Sequence, residues 1–193
     1  MGKQSNTGPL LITMIETAVS GWNYFLQKGF FLEGVSGMSV RMFLREAVGF
    51  EDRYIDETVR TVFLNNSPVD DIDATYIKDG DRMALGSAMP GLVGIVMGRD
   101  NFYKSFRSGI AVKEATRADS SPALLSVKVF ATLAVESGRA ILERGIVADP
   151  ALLASFLSDK RDLIREADGE DADTFIGRLE GMTEKVAFRV IFG

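Results

Sequence analysis

Arg99, Tyr103, Lys104 and Arg107, interleaved with Phe102 and Phe106, are the residues whose types and spacing come nearest to a binding site. Cations beside aromatic faces suit a small anionic ligand, a nucleotide or single-stranded nucleic acid. Residues 99–117 carry five basic side chains against Asp100 and Glu114, and a net of +3 adds little salt-dependent affinity for nucleic acid. A small anionic ligand is therefore the occupant these four residues predict. Phe102, Tyr103 and Phe106 also fall at helical spacing, which equally fits a buried face.

Two acidic clusters raise the question of a metal. Asp70, Asp71, Asp73, Asp79 and Asp81 supply hard oxygens of the kind that hold Ca²⁺ or Mg²⁺. Counted from Asp71, however, the sixth position is Tyr76 rather than Gly, and no Glu stands twelfth. Asp168-Gly169-Glu170-Asp171-Ala172-Asp173 fails the same pattern and precedes an expected helix, where acids face the dipole favourably. Both clusters read as turns, and no metal ligand is assigned. Gly91, Gly94 and Gly98 match neither a dinucleotide fingerprint nor a phosphate loop.

The chain contains no His and no Cys. That removes the commonest general base, the thiolate nucleophile, disulfides and zinc–thiolate or iron–sulfur sites. Carboxylate catalysis needs two acids held in one cleft, and Glu16, Glu33, Glu136 and Glu143 form no recognisable pair. No catalytic residue and no cofactor is indicated, so the reading leans away from an enzyme.

Over 193 residues, 46% are apolar and 25% charged, which permits an ordinary buried core. The net charge of −5 argues against bulk attraction to nucleic acid or anionic lipid. The longest uncharged stretch, between Arg82 and Arg99, is 16 residues and contains Pro90 and four glycines. It is too short and too broken to cross a membrane. A soluble, cytoplasmic protein is expected.

The elements that must position these residues are read from periodicity. Leu10–Val19 is β-branched and expected as a strand; a helical reading through Leu11, Ile15, Ala18, Trp22, Phe25 and Leu26 is interrupted by Ser20-Gly21. Phe30-Phe31-Leu32 reads as a second strand closed by Gly34. Ser39 is an N-cap for a helix to Val48, with Val40, Phe43, Leu44, Ala47 and Val48 on one face and Gly49 as the stop. Val59–Leu64 is a strand ended by the turn Asn65-Asn66-Ser67-Pro68, followed by a short return, Val69–Ile72. A turn at Lys78-Asp79-Gly80-Asp81 leads to a strand, Arg82–Leu85. Pro122–Arg144 is mostly helical in composition, although Ser126–Phe130 alternates like a strand. Asp149-Pro150 opens a helix whose face holds Leu152, Leu153, Phe156, Leu157 and Ile164. Asp173 or Thr174 begins a last helix to about Glu184, and Val186, Phe188, Val190 and Phe192 alternate as a C-terminal strand.

The helix Ser39–Val48, the run Val62-Phe63-Leu64-Asn65-Asn66-Ser67-Pro68-Val69 and the run Ile77-Lys78-Asp79-Gly80-Asp81-Arg82-Met83-Ala84-Leu85 resemble the β-grasp (ubiquitin-like) family. The likeness is closest to the sulfur carriers of thiamin and molybdopterin synthesis and covers residues 39–91. It implies a helix laid across a mixed sheet, with residues 10–19 and 30–33 as the opening hairpin. Sulfur carriers end in a free Gly-Gly; here the corresponding place reads Met89-Pro90-Gly91-Leu92-Val93-Gly94 and the chain runs on. Carrier chemistry would require cleavage near position 91.

The expected architecture is α+β: a β-grasp-like part over 1–98, then a mainly helical part over 99–193 that ends in a strand and packs with the first. The expected function is a non-enzymatic binding or adaptor protein with a protein partner. The alternatives are a small-molecule or anion site near residues 88–107, and a processed sulfur carrier.

Overall fold

The computed structural model describes residues 8–88, 91, 97–99 and 120–193. The described residues mix helices and strands, consistent with the α+β expectation. It divides into two compact units that interleave in sequence, one drawn from 1–21 and 141–193 and the other from 22–140. Among the described residues no helix is long and apolar enough to cross a membrane.

The smaller unit contains β1 (Leu10–Met14), β7 (Ile146–Ala148), β8 (Ile164–Ala167) and β9 (Val186–Phe192), ordered β7-β9-β1-β8. Strands β1 and β9 run parallel, Leu10 opposite Phe188 and Met14 opposite Phe192, and the other two pairs are antiparallel. The alternation read from the C-terminus holds: Val186, Phe188, Val190 and Phe192 are buried while Ala187, Arg189 and Ile191 are exposed. The helix at Pro150–Ser158 also starts as expected. The Asp149 carboxylate accepts hydrogen bonds from the Ala151 and Leu152 amides, and Pro150 takes the first helical position, where no N–H is needed. Its buried face is Leu153, Phe156 and Leu157; Leu152 is 39% exposed and Ile164 opens β8 instead. The last helix spans Ala172–Glu180, because Asp171 rather than Asp173 or Thr174 is the cap. Its carboxylate accepts from both the amide and the hydroxyl of Thr174.

The N-terminal expectation is corrected. The strand stops at Met14, and the chain continues as a 3₁₀ turn, Glu16–Ala18, and helix α1 (Val19–Lys28). Ala18, Trp22, Phe25 and Leu26 are the buried stripe of that helical stretch, so helical periodicity outweighs β-branching once Trp22 and Phe25 have a core to enter. Gly21 does not break the helix. A Cβ there would stand 2.8 Å from the Lys160 Cε, so the missing side chain admits a close neighbour.

The larger unit contains β2 (Phe30–Val35), α2 (Val40–Phe43), α3 (Asp52–Glu57), β3 (Thr61–Leu64), β4 (Ser67–Pro68), β5 (Arg82–Gly86), β6 (Pro122–Val129) and most of α4 (Ala131–Arg144). Its strands are ordered β4-β3-β5-β6-β2. The central pair β5–β6 is parallel, and the three outer pairs are antiparallel. The expected helical reading of 122–144 is therefore wrong over its first third: the alternating residues Ala123, Leu125, Val127 and Val129 are all buried on one face of a strand. The opening hairpin is not formed either. Strand β1 pairs with β8 and β9, while β2 takes β6 as its antiparallel partner. The return strand is only the two residues of β4, Ser67 and Pro68, not Val69–Ile72.

Local chemistry builds the rest as read. Ser39 caps α2 by accepting from the Met42 amide, the chain winds on through a wider π turn, Leu44–Val48, and Gly49 stops it at φ 89°. Asn65 and Asn66 both adopt positive φ, the conformation of a tight hairpin turn whose twist suits its strands. Strand β2 passes through Gly34 rather than ending there. A Cβ at Gly34 would lie 3.0 Å from the Phe43 ring, so glycine lets the helix seat against the strand. Phe30, Leu32, Val62, Leu64, Met83, Leu85, Leu125 and Val127 form the covered sheet face, buried with Val40, Phe43, Leu44, Val48 and Ile55. Each such side chain contributes about 1.5–3 kcal/mol on burial.

Candidate functional site

Alternation along each strand leaves the other face of the larger unit's sheet outward. Thr61 and Phe63 of β3, Arg82, Ala84 and Gly86 of β5, Ser126 and Lys128 of β6, and Phe31 and Glu33 of β2 belong to it. Register sets them in rows: Phe31–Ser126–Arg82, then Lys128–Ala84–Phe63, then Gly86–Thr61. At the Gly86–Thr61 end the face opens into a cavity of about 350 Å³, lined chiefly by Thr61, Phe63, Ala84, Gly86, Phe130 and Ala131. The lining is apolar. The Thr61 hydroxyl donates its proton to the Ser87 carbonyl at 3.4 Å, and Ser87 is the other hydroxyl-bearing residue of the lining. Phe130 is 40% exposed. Ala131 stands at φ 51°, a left-handed conformation that costs a non-glycine residue on the order of 1–2 kcal/mol. That strain accompanies the abrupt change from β6 into α4.

Of the four residues expected to bind an anion, Arg99 is described and Tyr103, Lys104 and Arg107 lie outside the described residues. Arg99 is 5% exposed. Its Nε donates to the Val59 carbonyl at 3.0 Å, and one terminal nitrogen donates to the carbonyls of Ile55 at 2.6 Å and Val59 at 2.8 Å. These carbonyls lie in and just after α3, where helix geometry leaves acceptors without intrahelical donors. Its own amide donates to the Arg60 carbonyl at 2.8 Å. The guanidinium is thus engaged by backbone acceptors.

The acidic residues build turns and clasps. Asp71 accepts from the amides of Asp73 and Ala74, Asp79 from the Leu124 amide, and Asp81 from the Asn65 side chain and the Lys78 amide. Asp73 holds Arg41 at 2.7 Å. In the second cluster, Asp168 and Glu170 hold Arg178 at 2.7 and 2.9 Å, and Asp173 holds Arg161 at 2.9 Å. Among the described residues no three His, Cys, Asp or Glu side chains converge as a metal site. Gly91 adopts φ 83°, and Gly94 lies outside the described residues. Of the four glutamates, Glu16 sits in the 3₁₀ turn, Glu33 on β2, and Glu136 and Glu143 on α4. Glu136 accepts from the Tyr54 hydroxyl at 3.3 Å. Burial raises that phenol above its ordinary value, and the Glu136 charge adds to the rise.

The cavity was missed from sequence, though a signal existed. Phe63, Ala84 and Gly86 occupy outward positions where a solvated sheet face normally carries polar residues. No protein-family model matches this chain, and neither a curated protein nor a solved structure does.

Proposed function

We propose that the 22–140 unit is a β-grasp-type binding module and that the chain acts as a non-enzymatic adaptor, gripping a protein partner by an apolar side chain. The observation that carries this reading is the apolar cavity on the outer sheet face. Small-molecule sites pair apolar walls with a few polar groups that fix orientation; in this cavity the Thr61 hydroxyl is already bonded to a backbone carbonyl, and Ser87 brings the other hydroxyl of an otherwise apolar lining. An occupant held only by burial must take its specificity from contacts beyond the cavity, which a macromolecule supplies. The β-grasp reading is supported by the helix-covered mixed sheet and by the Asp79–Gly80 turn that feeds β5 into it. Strand β6 fills the place that the hairpin's first strand was expected to take.

The same strand speaks against a processed sulfur carrier. Cleavage near Gly91 would sever β6, which lies between β5 and β2, from the strands that it joins. An anion site near 88–107 would have to share Arg99 with the Ile55 and Val59 carbonyls, which accept from its Nε and one terminal nitrogen.

Native mass spectrometry of the protein purified gently from its own source tests the proposal. A second protein at fixed stoichiometry, lost in Ala84→Glu without a change in melting temperature, is the expected result. A bound mass of a few hundred daltons released on denaturation would replace the partner by a small molecule, and a fragment ending at Gly91 or Gly94 would restore the carrier.

A further inference from the structure

Among the described residues, the charged neighbours that register sets beside the cavity's Ala84 are cations, although neither is part of the cavity wall. Lys128 lies opposite Ala84 across the β5–β6 pair, and Arg82 is the preceding outward residue on β5. Both are exposed, and neither side chain has an ion-pair or hydrogen-bond partner among the described residues. Asp81, beside Arg82 in sequence, has its two oxygens engaged by Asn65 and the Lys78 amide. Among the described residues in the registered rows, the one carboxylate is Glu33, opposite Leu124 and toward the other end of the sheet. Cations left unmatched beside an apolar hollow form a positive rim, and such rims steer complementary partners and fix their register.

We infer that the hollow and its two cations receive one occupant: an acidic peptide segment of a partner protein, with an apolar side chain between Phe63 and Phe130 and carboxylates against Lys128 and Arg82. The inference rests on the partner reading above and names the chemistry of that partner. A peptide fits better than a free fatty acid because the two charges flank the hollow rather than cap it. The Lys128 stem lies against Gly29, where its Cε would be 3.4 Å from an added Cβ, and Lys128 is not part of the cavity wall. Lys128 and Arg82 are diagonal neighbours across the parallel β5–β6 pair, one strand spacing across and two residues along, on the order of 8 Å apart at the backbone. Successive carboxylates of a peptide can meet both, whereas a single headgroup meets one.

The test pans a library of random twelve-residue peptides against the full chain and measures the affinity of synthetic copies of the selected sequences. Wild type is compared with Ala84→Trp, which fills the hollow, and with the double variant Arg82→Gln, Lys128→Gln. Phe130→Ala, at an exposed wall, serves if Ala84→Trp does not fold. Selected peptides should carry an apolar anchor with Asp or Glu nearby. Ala84→Trp should weaken them more than tenfold. The double variant should weaken them roughly two- to twentyfold at low salt and little in 1 M salt. Peptides without acidic bias, or indifferent to the double variant, would overturn the inference while leaving the partner reading standing if Ala84→Trp still weakens them. Binding indifferent to the hollow variants, or no selected binder, would overturn both. Octanoate that binds by itself and displaces the peptides with the same variant dependence would reassign the site to a small amphipathic anion.

Discussion

The α2–α3 corner and the outer sheet face of the larger unit use their cations in opposite ways. At the corner, Arg41 meets Asp73 at 2.7 Å, Asp56 at 3.0 Å and Asp52 at 3.5 Å, while Arg99 is threaded onto the Ile55 and Val59 carbonyls. A polar cavity of about 400 Å³ lies there, lined by both arginines and by Asp56, Asp70, Asp71 and Asp73. It is richer in charge than the hollow on the sheet, yet Arg41 and Arg99 are already engaged inside the fold. Among the described residues the Arg82 and Lys128 side chains have no such engagement. Charge density alone therefore misleads about function; what distinguishes the two regions is whether the fold has already matched its charges. Substitution at the corner should cost stability, and substitution on the face should cost binding.

The largest effect belongs to Arg99. Arg99→Ala leaves two acceptors without the donors that satisfy them, and unsatisfied buried groups cost about 1–3 kcal/mol each. A loss of roughly 2–4 kcal/mol in urea denaturation is expected, partly recovered by Arg99→Lys. A loss below about 0.5 kcal/mol, the range of ordinary surface changes, would put Arg99 back among candidate ligand-binding groups. Arg41→Gln should cost less, about 1–2 kcal/mol, because its side chain is 24% exposed and its partners more so. Asp73 first, and Asp56 with it, raise the Arg41 guanidinium above its ordinary value. A group raised in the folded state keeps its contribution below the unfolded value and loses it only as pH climbs through the folded one. The difference between wild type and Arg41→Gln should thus stay flat from about pH 6 to 10. A slope in that window would mean that another titrating group shares the clasp.

The caps of the smaller unit come next, and they show what could be read in advance. Asp149→Ala should cost about 1 kcal/mol, since it removes the acceptor for two amides at the start of a helix. At Asp171, the Thr174 amide and then its hydroxyl hold the carboxyl below the ordinary 3.8. That contribution is present above the unfolded carboxyl range and disappears as pH falls through the lower folded value; acid titration of Asp171→Asn should lack it. Asp149, Ser39 and the Asn65–Asn66 turn were legible because each acts within a few residues of itself. Residues 10–28 were not, because β-branching and helical spacing coexist there and only burial of Trp22 and Phe25 chooses between them. Strand β6 was half legible: its alternation was visible, but its parallel pairing with β5 depends on contacts some forty residues apart that no local pattern encodes. The candidate site divides likewise. Arg99 was conspicuous by type and bonds to the Ile55 and Val59 carbonyls, whereas the hollow is assembled from Phe63, Ala84, Gly86 and Phe130, none notable alone.

The smallest effect is the most diagnostic. Arg82→Gln and Lys128→Gln, singly, should change unfolding free energy by no more than about 0.5 kcal/mol, the usual range for surface positions without special partners. Lys128 allows a finer cut, because its stem packs along Gly29 and a long side chain can stabilise through its methylenes. Lys128→Met keeps the stem and removes the charge, whereas Lys128→Ala removes both. If the charge has no folded-state role, Lys128→Met should match wild type in thermal and urea unfolding, and any deficit should appear only in Lys128→Ala. Equal destabilisation by Lys128→Met and Lys128→Ala would show that the ammonium does stabilise the fold. The outer face would then resemble the α2–α3 corner, and the contrast that assigns binding to one region and stability to the other would fail.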